Sequence, residues 1–172
     1  MSAITEEDVM DTVLVDRDGD GIVTVTFNRP QKLNAFTKPM WGRMGDVFRE
    51  LGADESVRCV VIRGAGERDF GPGNDISEFK TDRSNARQAK QYGVLMHGTI
   101  QALKSMPHPT IAMIHGICVG GGLEIAGLCN IRICGESSRF GAPIAKLGLV
   151  MAYQEIGALK ELVGPGRALE IL

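Results

Sequence analysis

The sequence predicts an α/β fold in which short strands alternate with helices. Apolar residues recur at helical spacing over residues 37–51 and 85–105, so both segments are predicted to be helices. Residues 57–64, VRCVVIRG, form a short and nearly all-apolar run, which is typical of a strand covered on both faces. Because strands and helices alternate along the chain, the predicted class is α/β.

The remaining elements follow from turn residues and apolar runs. The predicted order is β, β, α, β, loop, α, β, α, β, α, and the 172 residues are interpreted as one domain. The first half contains two strands with an Asp/Gly turn (11–30), a helix that Thr37 caps, and a Gly/Pro loop (68–80). The second half contains a second buried strand (106–116) and a short apolar helix after three glycines. Two strand-and-turn pieces (130–135 and 137–143) and closing helical segments (146–150 and 156–172) follow.

Composition excludes several classes of partner. The net charge is −2 with both signs interspersed, so neither a nucleic-acid-binding face nor a membrane-binding basic run is expected. No apolar run reaches about 18 residues, and the acidic start MSAITEEDVM is unlike a targeting signal, so a cytoplasmic protein is expected. The last residues, GRALEIL, form an uncapped apolar helical run, which predicts a fragment or a chain whose partner covers that end.

Metal and nucleotide motifs are weak. Residues 16–21 open like a calcium loop, but its twelfth position is Phe27, so a hairpin turn is favoured. His97, His108 and His115 have no acidic or thiol partner at ligand spacing and are interpreted as structural. The four cysteines form no C-x-x-C pair and are interpreted as reduced core residues. Serine-hydrolase, P-loop and Rossmann motifs are missing from the sequence.

Two glycine-rich loops each follow a buried strand. They are VVIRGAGERDFGPGND (60–75) and HGICVGGGLE (115–124). Glycine permits close approach of a ligand to the backbone, and two converging N–H groups have the geometry of an oxyanion hole. The alternative is that the glycines only make tight turns and close helix–sheet packing, and the residues alone do not separate the two.

Glu124 favours the functional interpretation. Its neighbours are apolar, so the carboxyl group is expected to be at least half buried. Burial raises the pKa of a carboxyl group and a helix N-terminus lowers it, so the net value can lie near neutrality. Such a group beside an oxyanion hole is suited to moving a proton next to a carbonyl. The alternative is an acid in the first turn that only stabilises the helix dipole.

These segments together resemble the crotonase (enoyl-CoA hydratase/isomerase) family. Four motifs carry the resemblance in order and spacing over nearly the whole chain: NRPQKLNA (28–35), FGPGNDI (70–76), the segment from His115-Gly116 to Gly120-Gly121-Gly122-Leu123-Glu124, and FGAP (140–143).

The resemblance implies a spiral of ββα units that binds a coenzyme A thioester. The thioester oxygen would accept hydrogen bonds from the backbone N–H groups of Asn74 and Gly121, with CoA as part of the substrate and no separate cofactor. The CoA moiety would lie along Lys32, Ala35, Pro72, Asn74, Asp75 and Ile76. The resemblance also implies a role in fatty acid metabolism and a homotrimer or hexamer built with a C-terminal helical section. This chain is expected to lack most of that section.

One departure from the family concerns its second acid. Glu124 occupies the position of the first family glutamate, whereas Ile144 stands where the second is expected. Tyr153 and Glu155 are candidates for a replacement. The sequence therefore favours an isomerase-like proton shift by one glutamate over two-glutamate hydration. The alternative is a non-catalytic acyl-CoA-binding paralogue or a subunit that completes an oligomer.

Overall fold

The computed structural model describes residues 6–148, 150–151 and 153–172. Six α-helices and eight strands occupy these residues. In chain order they are α1 (Glu6–Met10), β1 (Val13–Arg17), β2 (Ile22–Phe27), α2 (Lys38–Ala53), β3 (Cys59–Gly64), β4 (Asp69–Gly71), α3 (Phe79–Asp82), α4 (Ala86–Lys104), β5 (Thr110–Ile114), β6 (Ile117–Val119), α5 (Gly121–Leu128), β7 (Ile131–Cys134), β8 (Arg139–Gly141) and α6 (Tyr153–Ile171), with short 3-10 helices at Pro30–Lys32, Ile76–Glu78 and Ile144–Leu147.

The strands form two sheets. The larger has the order β1-β2-β3-β5-β7, in which β1 is antiparallel to β2 and the other pairs are parallel. The smaller has the order β4-β6-β8 and is parallel throughout. From β3 onward the chain alternates between the sheets, giving one strand to each before a helical segment. The predicted α/β class is confirmed, and its repeating unit is ββα.

Two strands of the smaller sheet lie in segments without a predicted strand. β4 lies at the start of the segment predicted as a Gly/Pro loop, and β6 lies between the predicted buried strand and the three glycines. Each has only three residues, which is too short for an alternating apolar pattern. Their strand conformation depends on pairing between them, with Asp69 opposite Ile117 and Gly71 opposite Cys118.

The main predicted helices are confirmed and cover the larger sheet. Thr37 caps α2 by accepting a hydrogen bond from the Met40 N–H at 3.3 Å. α4 begins one residue inside the predicted segment and ends one residue before its end. The two helices pack against each other, and the fully buried Trp41 and Tyr92 belong to this layer. Burial of these apolar faces supplies most of the driving force for folding.

The predicted hairpin at 11–30 is confirmed, and its turn has a local explanation. β1 and β2 pair antiparallel, and the Asp18 carboxylate accepts hydrogen bonds at 2.9 Å from the N–H groups of Asp20 and Ile22. This acid therefore stabilises the turn through the backbone, as the hairpin interpretation requires.

Two further predictions need comment. Cys134 is exposed, so the expectation that all four cysteines lie in the core is wrong. The reason is that β7 is the last strand of the larger sheet, and all of its residues are exposed.

The predicted helical segment 146–150 includes residue 149, which lies outside the described residues. Among the residues that the structure describes, no helix is both long and apolar enough to cross a membrane.

The two glycine loops meet because their strands are parallel neighbours. β4 and β6 end at the same edge of the smaller sheet, so the residues that follow them are adjacent. The loops approach closely at Gly122, where an added Cβ would overlap the carbonyl oxygen of Gly71. Glycine at this position is thus a steric requirement of the fold.

We expect Gly122→Ala to destabilise the protein by about 1–3 kcal/mol, because the methyl group forces the two loops apart. Gly93→Ala is the matched control, since Gly93 also lies in a helix but an added Cβ meets no atom within 4 Å. That control should be neutral or stabilising by about 0.5–1 kcal/mol. Urea unfolding of the two variants measures the difference, and equal stabilities would contradict the steric interpretation.

Candidate active site

A cavity of about 130 Å³ lies where the two glycine loops, α4, α5 and the start of α6 come together. It holds most of the residues that the sequence singled out. Its lining residues are Pro72, Asn74, Ile76, Phe79, Arg83, Met96, Gly120, Gly121, Glu124, Ile144, Leu147, Val150, Met151 and Glu155.

The backbone on both sides of Asn74 is hydrogen-bonded to Phe36, while the N–H group of Asn74 itself has no acceptor among the described residues. Asn74 forms an isolated parallel bridge with Phe36, in which the Phe36 N–H donates to the Gly73 oxygen and the Asp75 N–H donates to the Phe36 oxygen, each at 2.8 Å. In a parallel bridge the middle residue directs its own N–H away from the partner strand. Within the described part of the chain, the Asn74 N–H has no hydrogen-bond acceptor.

The Asn74 side chain anchors this loop to the helical layer. Its Oδ1 accepts hydrogen bonds from Trp41 Nε1 at 2.6 Å and from the Tyr92 hydroxyl at 3.3 Å. The position of Trp41 is fixed in turn, because the Thr99 hydroxyl donates to its carbonyl oxygen at 2.6 Å. These buried hydrogen bonds restrict the loop that carries the Asn74 N–H.

Gly121 supplies the second backbone group. It is the first residue of α5, and the described residues contain no acceptor for its N–H. The preceding Gly120 has φ +50° and donates its own N–H to the Gly141 oxygen at 2.9 Å, which sets the direction in which the helix begins. A Cβ on Gly73 would overlap the Gly121 nitrogen, so the two loops are in direct contact.

Glu124 lies in the first turn of α5 and is only 8% exposed. The expectation of at least half burial is confirmed. Its buried Oε1 has no hydrogen-bond partner among the described residues. Burial raises the pKa of Glu124 to about 8, and the nearby carboxylate of Glu155 contributes to the rise. The desolvation of the carboxylate thus outweighs the stabilisation that the helix N-terminus offers.

The structure distinguishes between the two candidates for a second acid. Ile144 lines the cavity, so the position that the resemblance assigns to a second acid faces the site with an apolar side chain. Glu155 lines the same cavity. Tyr153 is 77% exposed and lines an adjoining groove between α4 and α6 instead. Of the two candidates, only Glu155 shares the cavity with Glu124.

The residues assigned to CoA binding fall into two groups. Pro72, Asn74, Ile76 and Gly121 border the cavity. Lys32, Ala35 and Asp75 do not line it.

Arg29 links two of the residues outside the cavity. It donates to the Ala35 oxygen at 2.5 Å and to the Asp75 carboxylate at 3.1 Å. Burial alone would raise the pKa of Asp75, but hydrogen bonds from Ser77, and then the Arg29 guanidinium group, lower it below its ordinary value. Lys32 is exposed on the short helix Pro30–Lys32.

His97 contacts an acidic side chain on another helix. Its Nε2 lies 3.1 Å from Glu155 Oε1, so His97 has an acidic partner that local sequence spacing does not reveal. The two residues are 58 positions apart, on α4 and α6, and no local spacing predicts their contact. Among the described residues, no group of three His, Cys, Asp or Glu side chains is placed to hold a metal ion.

The two-sheet arrangement of ββα units and the cavity at the junction of its glycine loops define a crotonase-like protein. Residues 17–172 match the family model described as enoyl-CoA hydratase/isomerase. The chain therefore belongs to the enoyl-CoA hydratase/isomerase family, as the resemblance implied.

Named relatives agree with this assignment. The chain is 35% identical over 163 residues to the short-chain-enoyl-CoA hydratase of Clostridium acetobutylicum, covering 95% of this chain and 61% of the relative. It is 30% identical to the crotonyl-CoA hydratase of Syntrophomonas wolfei, covering 88% of this chain and 57% of the relative. The crystal structure of an enoyl-CoA hydratase/carnithine racemase from Magnetospirillum magneticum superposes with a TM-score of 0.91 at 47% identity, covering 95% of this chain and 61% of that one. The chain thus spans about three fifths of the length of these relatives.

We expect the stability of the protein to fall as the pH rises from about 4.5 to 8. The folded state keeps a proton on Glu124 up to about pH 8, whereas an unfolded chain releases it near the ordinary value of 4.5. Proton release from the unfolded state therefore favours unfolding across this window, with a slope of at most about 1.4 kcal/mol per pH unit.

Glu124→Gln removes this ionisation and should flatten the dependence. The melting temperature of Glu124→Gln minus that of the unaltered protein should increase from pH 5 to pH 9. Glu136→Gln, at an exposed position after β7, serves as the control and should leave the dependence unchanged. Parallel curves for the unaltered protein and Glu124→Gln would show that Glu124 is not held protonated by the fold.

Proposed function

We propose that the protein acts on an acyl-CoA thioester through an enolate, as an enzyme of the enoyl-CoA hydratase/isomerase type. The observation that carries the proposal is the shared cavity. A buried carboxyl group without a hydrogen-bond partner, Glu124 Oε1, borders the same space as Asn74 and Gly121, whose N–H groups are unused within the described residues. Buried polar groups without partners are rare in folded proteins and are concentrated where a ligand completes them.

The two backbone groups would stabilise the charge that develops on the thioester oxygen. Two preorganised N–H donors in a site shielded from water lower the energy of an enolate, and each donor of this kind typically contributes about 10²–10³ in rate. Trp41 and Tyr92 support this role, because their hydrogen bonds to Asn74 limit the movement of the loop. No separate cofactor is required for such a step.

Glu124 would move the proton. As a carboxylate it removes a proton from C2 of a 3-enoyl thioester, and as a carboxylic acid it returns that proton to C4 of the dienolate, which yields the 2-enoyl thioester. One carboxyl group completes this 1,3-shift with no net change in its own protonation. Ile144 stands where the family has its second acid, so Glu124 has no partner acid at that position. The isomerase-like shift is a reaction that Glu124 can perform alone.

The second candidate function is acyl-CoA binding without turnover, in a paralogue or as part of an oligomer. It is favoured by one observation, the apolar Ile144 at the cavity wall. We also propose, from the family resemblance, assembly as a homotrimer or hexamer and a cytoplasmic role in fatty acid metabolism. A titration with acyl-CoA esters that shows binding, together with no turnover of any ester, would support the non-catalytic alternative.

We expect Glu124→Gln to lower turnover of a 3-enoyl-CoA by about 10²–10⁴-fold, because the amide cannot accept the proton. Binding of a saturated acyl-CoA should change little, since the amide has nearly the same shape. Turnover is followed by the absorbance of the conjugated thioester and binding by calorimetric titration. Glu136→Gln should match the unaltered protein in both. Full turnover in Glu124→Gln would remove Glu124 from the mechanism.

A further inference from the structure

A second carboxyl group reaches the cavity from a part of the chain that the family motifs do not include. Glu155 lies in the first turn of α6, and its side chain is only 11% exposed. It borders the cavity together with Glu124, and the two are close enough for the charge of one to affect the ionisation of the other.

Glu155 is held in place from outside the cavity. His97 on α4 contacts Glu155 Oε1 through Nε2 at 3.1 Å, and the His97 side chain is 38% exposed toward the adjoining groove. A hydrogen bond between an imidazole and a carboxylate restricts the rotamers of the carboxylate. The contact therefore resembles the pairing of a reactive group with a residue that orients it.

We propose that Glu155, oriented by His97, is the second proton-transfer residue of this cavity and that it makes hydration of a 2-enoyl-CoA available although position 144 is apolar. This inference rests on the proposed function. His97 is a positioning residue, because it acts through Glu155 and does not line the cavity itself.

Two carboxyl groups in one small cavity divide the roles of acid and base. Like charges at short range disfavour simultaneous ionisation, so one of the pair keeps its proton near neutral pH. The burial of Glu124 and its lack of a hydrogen-bond partner mark it as the group that stays protonated. Glu155 is then the carboxylate that activates water.

The hydration step balances with these two groups. The Glu155 carboxylate takes one proton from water while the water oxygen forms a bond to C3, and the electron pair of the double bond moves to the thioester oxygen as an enolate. The Glu124 carboxylic acid then delivers its proton to C2. The product is the 3-hydroxyacyl thioester, and release of a proton from Glu155 with uptake of one by Glu124 restores the starting state.

Few charged side chains of the described residues surround the pair. Within the described residues, the ionisable side chains that line the cavity are Glu124 on α5, Glu155 on α6 and Arg83 between α3 and α4. His97 reaches Glu155 from α4, and the groove beyond it is bordered by Lys104, Lys160 and Glu161. Arg83 is held by aromatic rings, 4.7 Å from the centroid of Tyr92 and 5.1 Å from that of Phe79.

The test compares two reactions in the full chain. Hydration of crotonyl-CoA and isomerisation of a 3-enoyl-CoA are measured for the unaltered protein, Glu155→Gln and the control Glu161→Gln, which lies on the same helix outside the cavity. Glu155→Gln should lower hydration by about 10²–10⁴-fold and retain most of the isomerisation. The control should retain both activities. Retained isomerisation also shows that Glu155→Gln is folded.

A pH profile supplies an independent readout. Isomerisation requires the Glu124 carboxylate, so kcat/KM for isomerisation should rise with pH, and the midpoint of the rise should lie near pH 8. Removal of the Glu155 charge lowers the pKa of Glu124, and the midpoint should move to lower pH in Glu155→Gln. An unmoved midpoint would contradict the proximity on which the proposal depends.

The role of His97 is tested by its replacement. His97→Ala should lower hydration at least tenfold, whereas His97→Gln, which keeps a donor at nearly the same reach, should restore most of it. Hydration at the unaltered rate in Glu155→Gln, or isomerisation without hydration in the unaltered protein, would overturn the inference. Binding of acyl-CoA with neither reaction would instead refute the proposed function, so the two failures are distinguishable.

Discussion

The site depends on the contact between two glycine loops. β4 and β6 are parallel neighbours, so their carboxyl ends deliver Gly73 and Gly121 to the same place, and the backbones touch because neither residue has a side chain. Asn74 directly follows Gly73, and neither its N–H nor that of Gly121 has an acceptor among the described residues. If the loops were held one side-chain width farther apart, the two N–H groups could not both reach one thioester oxygen, as the proposed function requires. The smaller sheet therefore sets the distance between the two glycine loops, and the larger sheet and the helical layer keep that sheet in position.

The buried acid is an energetic consequence of the same contact. Close packing of α5 against the loop after β4 places Glu124 where water does not solvate it, and the carboxyl group responds by keeping its proton. Because an unfolded chain releases this proton near pH 4.5, retention of the proton by folded Glu124 already lowers the stability at neutral pH, and the cost is largest above about pH 8. Such a cost is typical of functional sites, where a group is kept reactive at the expense of stability. Trp41, Thr99 and Tyr92 offset it with a buried hydrogen-bond network that holds the opposite wall.

The sequence predicts the long elements well because each has its own periodic signal. The helices α2 and α4 and the strand β3 follow from apolar spacing alone, and the burial of Glu124 follows from its apolar neighbours. β4 and β6 were not predicted, since three-residue strands form only through their pairing. The contact of His97 with Glu155 was missed for a related reason. It joins α4 to α6 across 58 residues, and each residue taken alone looks like an ordinary surface or structural group.

Ile144 and Glu155 show how one cavity can be completed from different parts of a chain. The 3-10 helix Ile144–Leu147 and the first turn of α6 both border the cavity, so a carboxyl group on either segment can reach it. What the chemistry requires is a distance and an orientation relative to the thioester, and a motif position is only one way to provide them. A carboxylate on α6 needs an external support, because it does not arise from the smaller sheet that fixes the glycine loops. His97 meets that need, since it lies on α4, the same helix whose Tyr92 fixes Asn74. One helix thus contacts both the loop that carries the Asn74 N–H and the Glu155 carboxylate, so α4 connects the two parts of the proposed site.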